Sequence, residues 1–203
     1  KNIVSDLVRE VMGKLAAHTA FNMKDSFDLV RRMVDARHIM AYSLNADLQT
    51  QLEKDNWTAA MSTSTVDYLY WNDANVTALK TDHALNRSLS YSIIPNEQGK
   101  FIAKTSMTYE HLGTFDWRTT RYRAYVRLYV PLGSSFIDVV GSASTATSSI
   151  DQGVYNGKQW FGTFISVEPG DTKTITWNYT VPPRISDAVK NKMAFGLGFD
   201  FYA

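Results

Sequence analysis

The chain has 203 residues, with 21 Lys and Arg against 20 Asp and Glu for a formal net charge of +1, and hydrophobic residues make up 44% of it. That balance excludes a dedicated polyanion binder, which needs a clear excess of basic residues, and the apolar content excludes a disordered chain. The absence of cysteine excludes thiol nucleophiles, thiolate zinc centres and disulfide frameworks.

No run approaches the roughly 20 apolar residues that a spanning helix requires, and the first residue is Lys1 rather than a methionine. The expectation is a soluble chain that is part of something longer. In chain order, Ile3, Leu7, Val8, Val11 and Leu15 share one stripe at helical spacing, which predicts a helix running to about residue 18. Asp25 and Ser26 offer N-cap oxygens for a second helix bearing Phe27, Val30, Met33, Val34 and Met40, with Arg31, Arg32 and Arg37 on its polar side. Asn45 is a third cap, for a short helix carrying Leu48 and Leu52. Helices are therefore expected within residues 1–57 only, packed on a sheet domain formed by residues 58–203.

From Met61 onward the composition shifts to Thr, Ser, Tyr, Val and Trp with alternating polarity, the pattern of strands covered on one face. Leu85, Leu89, Tyr91 and Ile93 alternate with Asn86, Ser88, Ser90 and Ser92; after a turn at 95–99, Phe101, Ala103, Met107 and Tyr109 point inward on the return strand. A further strand covers 122–130, is interrupted by Pro131 and Gly133, and resumes at Phe136. Residues 142–156, rich in Ser, Thr and Gly, predict a long surface loop. Strands at 160–167, 173–181 and 193–202 complete the set, with Ile175, Trp177, Tyr179 and Val181 on one face of the middle one. The predicted fold class is α+β, mainly β: N-terminal helices followed by an antiparallel β-sandwich of about eight strands, whose core includes Leu89, Tyr91, Val126, Leu128, Trp177 and Phe199.

Two constellations are candidates for chemistry. On the strand at 121–129, Arg121, Arg123, Tyr125, Arg127 and Tyr129 fall on the face opposite Tyr122, Ala124, Val126 and Leu128. Interleaved arginine and tyrosine can hold a sugar ring or a phosphate by stacking and forked hydrogen bonds, or can form a solvated face paired with carboxylates on neighbouring strands. The second constellation is Asn72-Asp73-Ala74-Asn75 with Lys80-Thr81-Asp82-His83, read as lying between two strands. It lacks the alternating oxygen ligands and turn glycine of a calcium loop, so Asn75, Lys80 and Asp82 are read as a structural polar cluster. In it Asn75 and Asp82 bond mainly to backbone and hold the connection between helices and sheet. The four histidines, His18, His38, His83 and His111, form no ligand pattern, and no catalytic or nucleotide-binding motif is present. No catalytic residue, metal or cofactor is expected.

Several motifs resemble one known family. Residues 36–42 (ARHIMAY), Asp47-Leu48-Gln49 and Asp55-Asn56-Trp57 resemble the helical segment of the bacterial family catalogued as domain of unknown function 4012. Asp73-Ala74-Asn75 with Lys80-Thr81-Asp82, the strand and turn at 123–134 (RAYVRLYVPLGS), and residues 177–182 (WNYTVP) are similar to three further motifs of that family in the same order. The match covers roughly residues 30–183. The resemblance implies a C-terminal, extracytoplasmic module of a bacterial envelope protein, held at the membrane only through an N-terminal anchor outside this chain. It supplies no catalytic residue. The expected function is a non-catalytic binding or structural module contacting anionic envelope glycopolymer or an envelope protein, with no role for nucleic acid. The alternative is an accessory domain of an envelope glycopolymer-processing enzyme whose catalytic part lies elsewhere.

Overall fold

In the computed structural model, which describes residues 3–17, 23–61, 67–77, 79–143 and 150–194, the chain divides into two units after residue 62. The first unit holds α1 (Ile3–Ala17), α2 (Met23–Asp35) and α3 (Ala46–Lys54). The third helix starts where its cap predicts, with Asn45 Oδ1 accepting from the Leu48 N–H at 3.0 Å. The second differs from expectation at both ends. It begins ahead of Asp25, which becomes a first-turn acid suited to the helix dipole, and it stops at Asp35. Beyond that end Arg37 takes a left-handed backbone (φ 60°). Its guanidinium donates to the carbonyls of Asn56 and Thr58, each at 2.9 Å. Arg37 and Met40 therefore lie outside the helix.

The second unit contains β1 (Tyr70–Asn75), β2 (Leu85–Pro95), β3 (Phe101–His111), β4 (Tyr122–Pro131), β5 (Ser135–Val140), β6 (Asp151–Tyr155), β7 (Lys158–Val167) and β8 (Thr172–Thr180). They form two four-stranded sheets, ordered β1-β4-β7-β6 and β2-β3-β8-β5, and every pairing is antiparallel. Alternation places Tyr122, Ala124, Val126 and Leu128 of β4 with Phe161 and Ile165 of β7 on the inner face of the first sheet. Ala103, Met107 and Tyr109 of β3 with Ile175, Trp177 and Tyr179 of β8 meet them from the second. Phe161 and Trp177 stack across the interior with ring centroids 6.2 Å apart. Removal of this apolar surface from water is the main force holding the sheets together.

Five expectations are corrected. Leu89 has the inward parity but is 47% exposed, because β2 is an edge strand with no neighbour beyond it among the described residues, and Tyr91 is half-buried. Helices are not confined to the first 57 residues: α4 (Pro183–Ala194) packs Ile185 and Val189 into the sandwich core. Met193 belongs to α4 rather than to a strand, and the remainder of that predicted strand, with Phe199, lies outside the described residues. The predicted loop at 142–156 contains β6, which pairs with β7 through Asn156 (φ 47°) and Gly157 (φ 67°), a two-residue hairpin turn of the mirror-image class. Finally, Asn72 to Asn75 belong to β1 and do not lie between strands.

Candidate binding face

Strand alternation carries Arg123, Tyr125, Arg127 and Tyr129 to the outer face of the first sheet, as expected, and cross-strand register adds what surrounds them. Tyr125 pairs with Phe164, Arg127 with Gly162 and Tyr129 with Trp160 on β7, and on the other side Tyr129 pairs with Tyr70 of β1. The outer face is thus an aromatic field crossed by two exposed arginines. Its flatness comes from two glycines. A Cβ on Gly162 would lie 2.4 Å from the Tyr125 hydroxyl, and one on Gly153 would lie 2.8 Å from the Trp160 indole nitrogen. The Tyr125 and Trp160 rings therefore lie down over bare backbone.

Between them, the Arg127 guanidinium carbon sits 5.3 Å from the Tyr125 ring centre and 4.9 Å from that of Trp160. Cation–π attraction and the neighbouring tyrosine hydroxyls hold it in place, and Tyr129 and then Tyr125 move its pKa above the usual value. Tyr125 meets Phe164 edge-on at 5.0 Å and donates its hydroxyl to Asp151 on β6. Burial, then Asp151, pushes the Tyr125 pKa up to about 12, so the phenol stays protonated.

The five predicted residues separate. Arg123 and Arg127 have no ion-pair partner among the described residues. Arg121 precedes the strand and its guanidinium is paired through Nε with Glu168, unlike the other two arginines. Tyr129 is only 8% exposed; its ring packs against Tyr70 at 5.7 Å and serves as a floor more than a contact. Trp160, Phe164, Gly153, Gly162 and Asp151 were missed by sequence reasoning. The alternation of Trp160, Gly162 and Phe164 against Phe161, Thr163 and Ile165 carried the signal, but register was needed to put them beside the arginines.

The polar cluster is built differently from its prediction. Asn75 donates to the Leu79 carbonyl at 3.2 Å and to Asp82 Oδ2 at 2.8 Å, while its own oxygen accepts from the Thr77 N–H and hydroxyl. Asp82 therefore bonds to side chains, not chiefly to backbone, and its other oxygen takes Arg87 at 2.6 Å. Lys80 makes no ion pair with Asp82. All these partners lie within the sandwich unit, where they join β1 to β2 rather than helices to sheet.

The centre of this cluster is Arg87, which the sequence reading did not single out. It donates to Asp73 at 3.1 Å, to Asp82, and to the Tyr122 hydroxyl at 3.1 Å, and lies over the Tyr109 and Tyr122 rings. Asp73 also accepts from Tyr109 at 2.7 Å and from the Trp71 indole at 2.8 Å. Burial pulls the Arg87 pKa down, but Tyr122, Asp82 and Asp73 outweigh it and the net shift is upward. Burial and Asp73 both raise Tyr109. This network clamps the edge strands of the two sheets. Among the other titratable groups, His111 is buried, accepting the Gly113 N–H at Nδ1 (3.1 Å) and donating from Nε2 to the Thr120 carbonyl (2.9 Å), which fixes the neutral Nε2–H tautomer. No cluster of metal-ligating side chains occurs among the described residues.

No protein-family model, curated protein or solved structure matches this chain.

Proposed function

We propose that this chain is a non-catalytic, extracytoplasmic module of a bacterial cell-envelope protein, related to the domain of unknown function 4012, and that it contacts anionic envelope glycopolymer through a local basic and aromatic patch rather than through net charge, which is only +1. The contact surface is the outer face of the first sheet, with Arg123 and Arg127 as the anion-binding groups and the rings of Tyr125, Trp160 and Phe164 as the stacking surface. One observation carries the reading: Arg123 and Arg127 are exposed on one face without carboxylate partners among the described residues, and the Arg127 guanidinium stands between aromatic rings laid flat over glycines. Phosphate or carboxylate oxygens accept forked hydrogen bonds from guanidinium, and the C–H faces of sugars stack on aromatic rings. The ordered motifs at 73–82, 123–134 and 177–182 support the envelope setting.

Affinity electrophoresis of the chain in gels containing polygalacturonate, poly(glycerol phosphate) or neutral dextran tests this. Retardation by one or both charged polymers, with none by dextran, is the expected result. Equal mobility in all the gels would remove the proposal.

A further inference from the structure

The connection between β3 and β4 exposes more large apolar surface than its length requires. Leu112 is 61% exposed, Phe115 66% and Trp117 83%, although a dense set of hydrogen bonds fixes the backbone that carries them. Asp116 accepts from the N–H groups of Arg118 and Thr119, both at 2.7 Å, and the Asp116 N–H returns to the Thr119 carbonyl at 2.9 Å. The same two N–H groups, Thr119 first, hold the Asp116 pKa below the usual carboxylate value. The Leu112 N–H bonds to Ala84, the Lys80 N–H to the Arg118 carbonyl, and His111 to Thr120. The loop is thus ordered by its backbone, with its large side chains turned out.

At its base lies an open hollow of about 460 Å³ lined by Leu79, Lys80, Asp82, His83 and Arg118. Of the acids at this end, Asp82 is engaged with Arg87 and Asn75, Glu168 with Arg121, Asp116 with the turn and Glu110 with Asn86, while Asp171 has no ion-pair partner among the described residues. Lys80 and Arg118 have no ion-pair partner among the described residues, and the Arg118 guanidinium lies over the Trp117 ring at 5.2 Å.

We propose that this loop docks on an anionic lipid surface, with Leu112, Phe115 and Trp117 entering the headgroup region and Lys80 and Arg118 meeting lipid phosphate in the hollow. Tryptophan and phenylalanine beside basic groups suit the membrane interface, where an apolar body and a polar rim are both satisfied. Three exposed apolar side chains need no shaped pocket in a fluid surface, whereas a protein partner would have to supply one for each. Because the loop is already ordered, docking carries little cost in conformational entropy. The proposal takes its setting from the envelope reading but shares no residue with the outer sheet face. Lipid vesicles carry no glycopolymer, so the two readings fail separately.

The test is co-sedimentation of the whole chain with vesicles of one part phosphatidylglycerol to two parts phosphatidylcholine, and with phosphatidylcholine alone. Binding to the mixed vesicles, weaker in high salt, is expected. Phe115→Ser with Trp117→Ser should lower the affinity at least about tenfold, since two large apolar side chains no longer leave water. Lys80→Gln with Arg118→Gln should remove the preference for the charged vesicles. Brominated lipid should quench part of the tryptophan emission of the unmodified chain, a readout that needs no variant to fold. Absence of binding, binding unchanged by the Phe115 and Trp117 substitutions, or absence of quenching would overturn the proposal, and the last two would assign any membrane affinity to another part of the chain.

Discussion

Arg87 and Arg127 each lie over two aromatic rings at similar distances, yet their surroundings differ in one respect. Arg87, over Tyr109 and Tyr122, is also held by Asp73 and Asp82. Arg127, over Tyr125 and Trp160, has no carboxylate partner among the described residues. Rings fix the position of a guanidinium in both places, but they do not use its hydrogen-bond donors to the full. The carboxylates do, and they convert the first arginine into a clamp between sheets while the second keeps donors to offer a ligand.

The clamp gives the largest expected effect. Arg87→Met leaves Asp73, whose side chain is 11% exposed, without its cation. The loss of one partner from a pair this enclosed should lower stability by about 2–4 kcal/mol, seen as a lower urea midpoint at unchanged slope. A loss of only a few tenths would make the clamp as dispensable as a surface pair. Next in size is Gly162→Ala. The new methyl group would displace Tyr125 from its place over the backbone and cost about 1–3 kcal/mol by overpacking. It should also weaken polymer binding, and a variant that binds normally would detach the flat ring from the proposed contact.

Acid unfolding sharpens the comparison further. For Asp82, burial works to raise the pKa, but hydrogen bonds from Asn75 and Arg87 outweigh it and the net shift is downward. A lowered folded-state pKa contributes stability above the ordinary carboxylate value of about 4, and this is lost as pH falls through the folded-state value. Asp82→Asn should therefore lower stability at neutral pH and flatten its decline below about pH 4. The effect is modest because the Asp82 side chain is half exposed. Superimposable acid limbs in denaturant titrations of the two proteins would show that Asp82 is not linked to folding.

The smallest effect on stability belongs to the outer face. Arg123→Gln and Arg127→Gln should each change it by no more than about 0.5 kcal/mol, since both side chains are exposed and unpaired with acids. A large thermal destabilisation would turn this face into a second structural cluster.

Much of the sandwich was legible because period-2 alternation reports burial directly. It placed Ala103, Met107, Tyr109, Val126, Leu128 and Trp177 on their inner faces, and it divided β4 correctly. Alternation does not report which strands are neighbours. Parity alone therefore puts Leu89 in the core although β2 lies at an edge, and it does not set Trp160 beside Arg127. Arg87 was readable in part: it shares the inward parity of Leu85 and Leu89, and a charged residue at such a position demands partners. The Asn156-Gly157 pair likewise signals a hairpin within a stretch whose Ser/Thr-rich composition points to a loop, and Ile185 and Val189, four apart after two prolines, mark α4.

The salt dependence of binding to poly(glycerol phosphate) or polygalacturonate, whichever retards the chain, tests the central claim most directly. Each guanidinium that meets a polymer charge releases about one counterion, so the logarithm of the affinity should fall linearly with the logarithm of salt concentration. Replacing Arg123 and Arg127 with glutamine should reduce that slope by about two and weaken binding at low salt, while the folded far-ultraviolet spectrum is retained. An unchanged slope and affinity in the folded double variant would contradict the account, because the polymer would then be held by charges elsewhere on the chain.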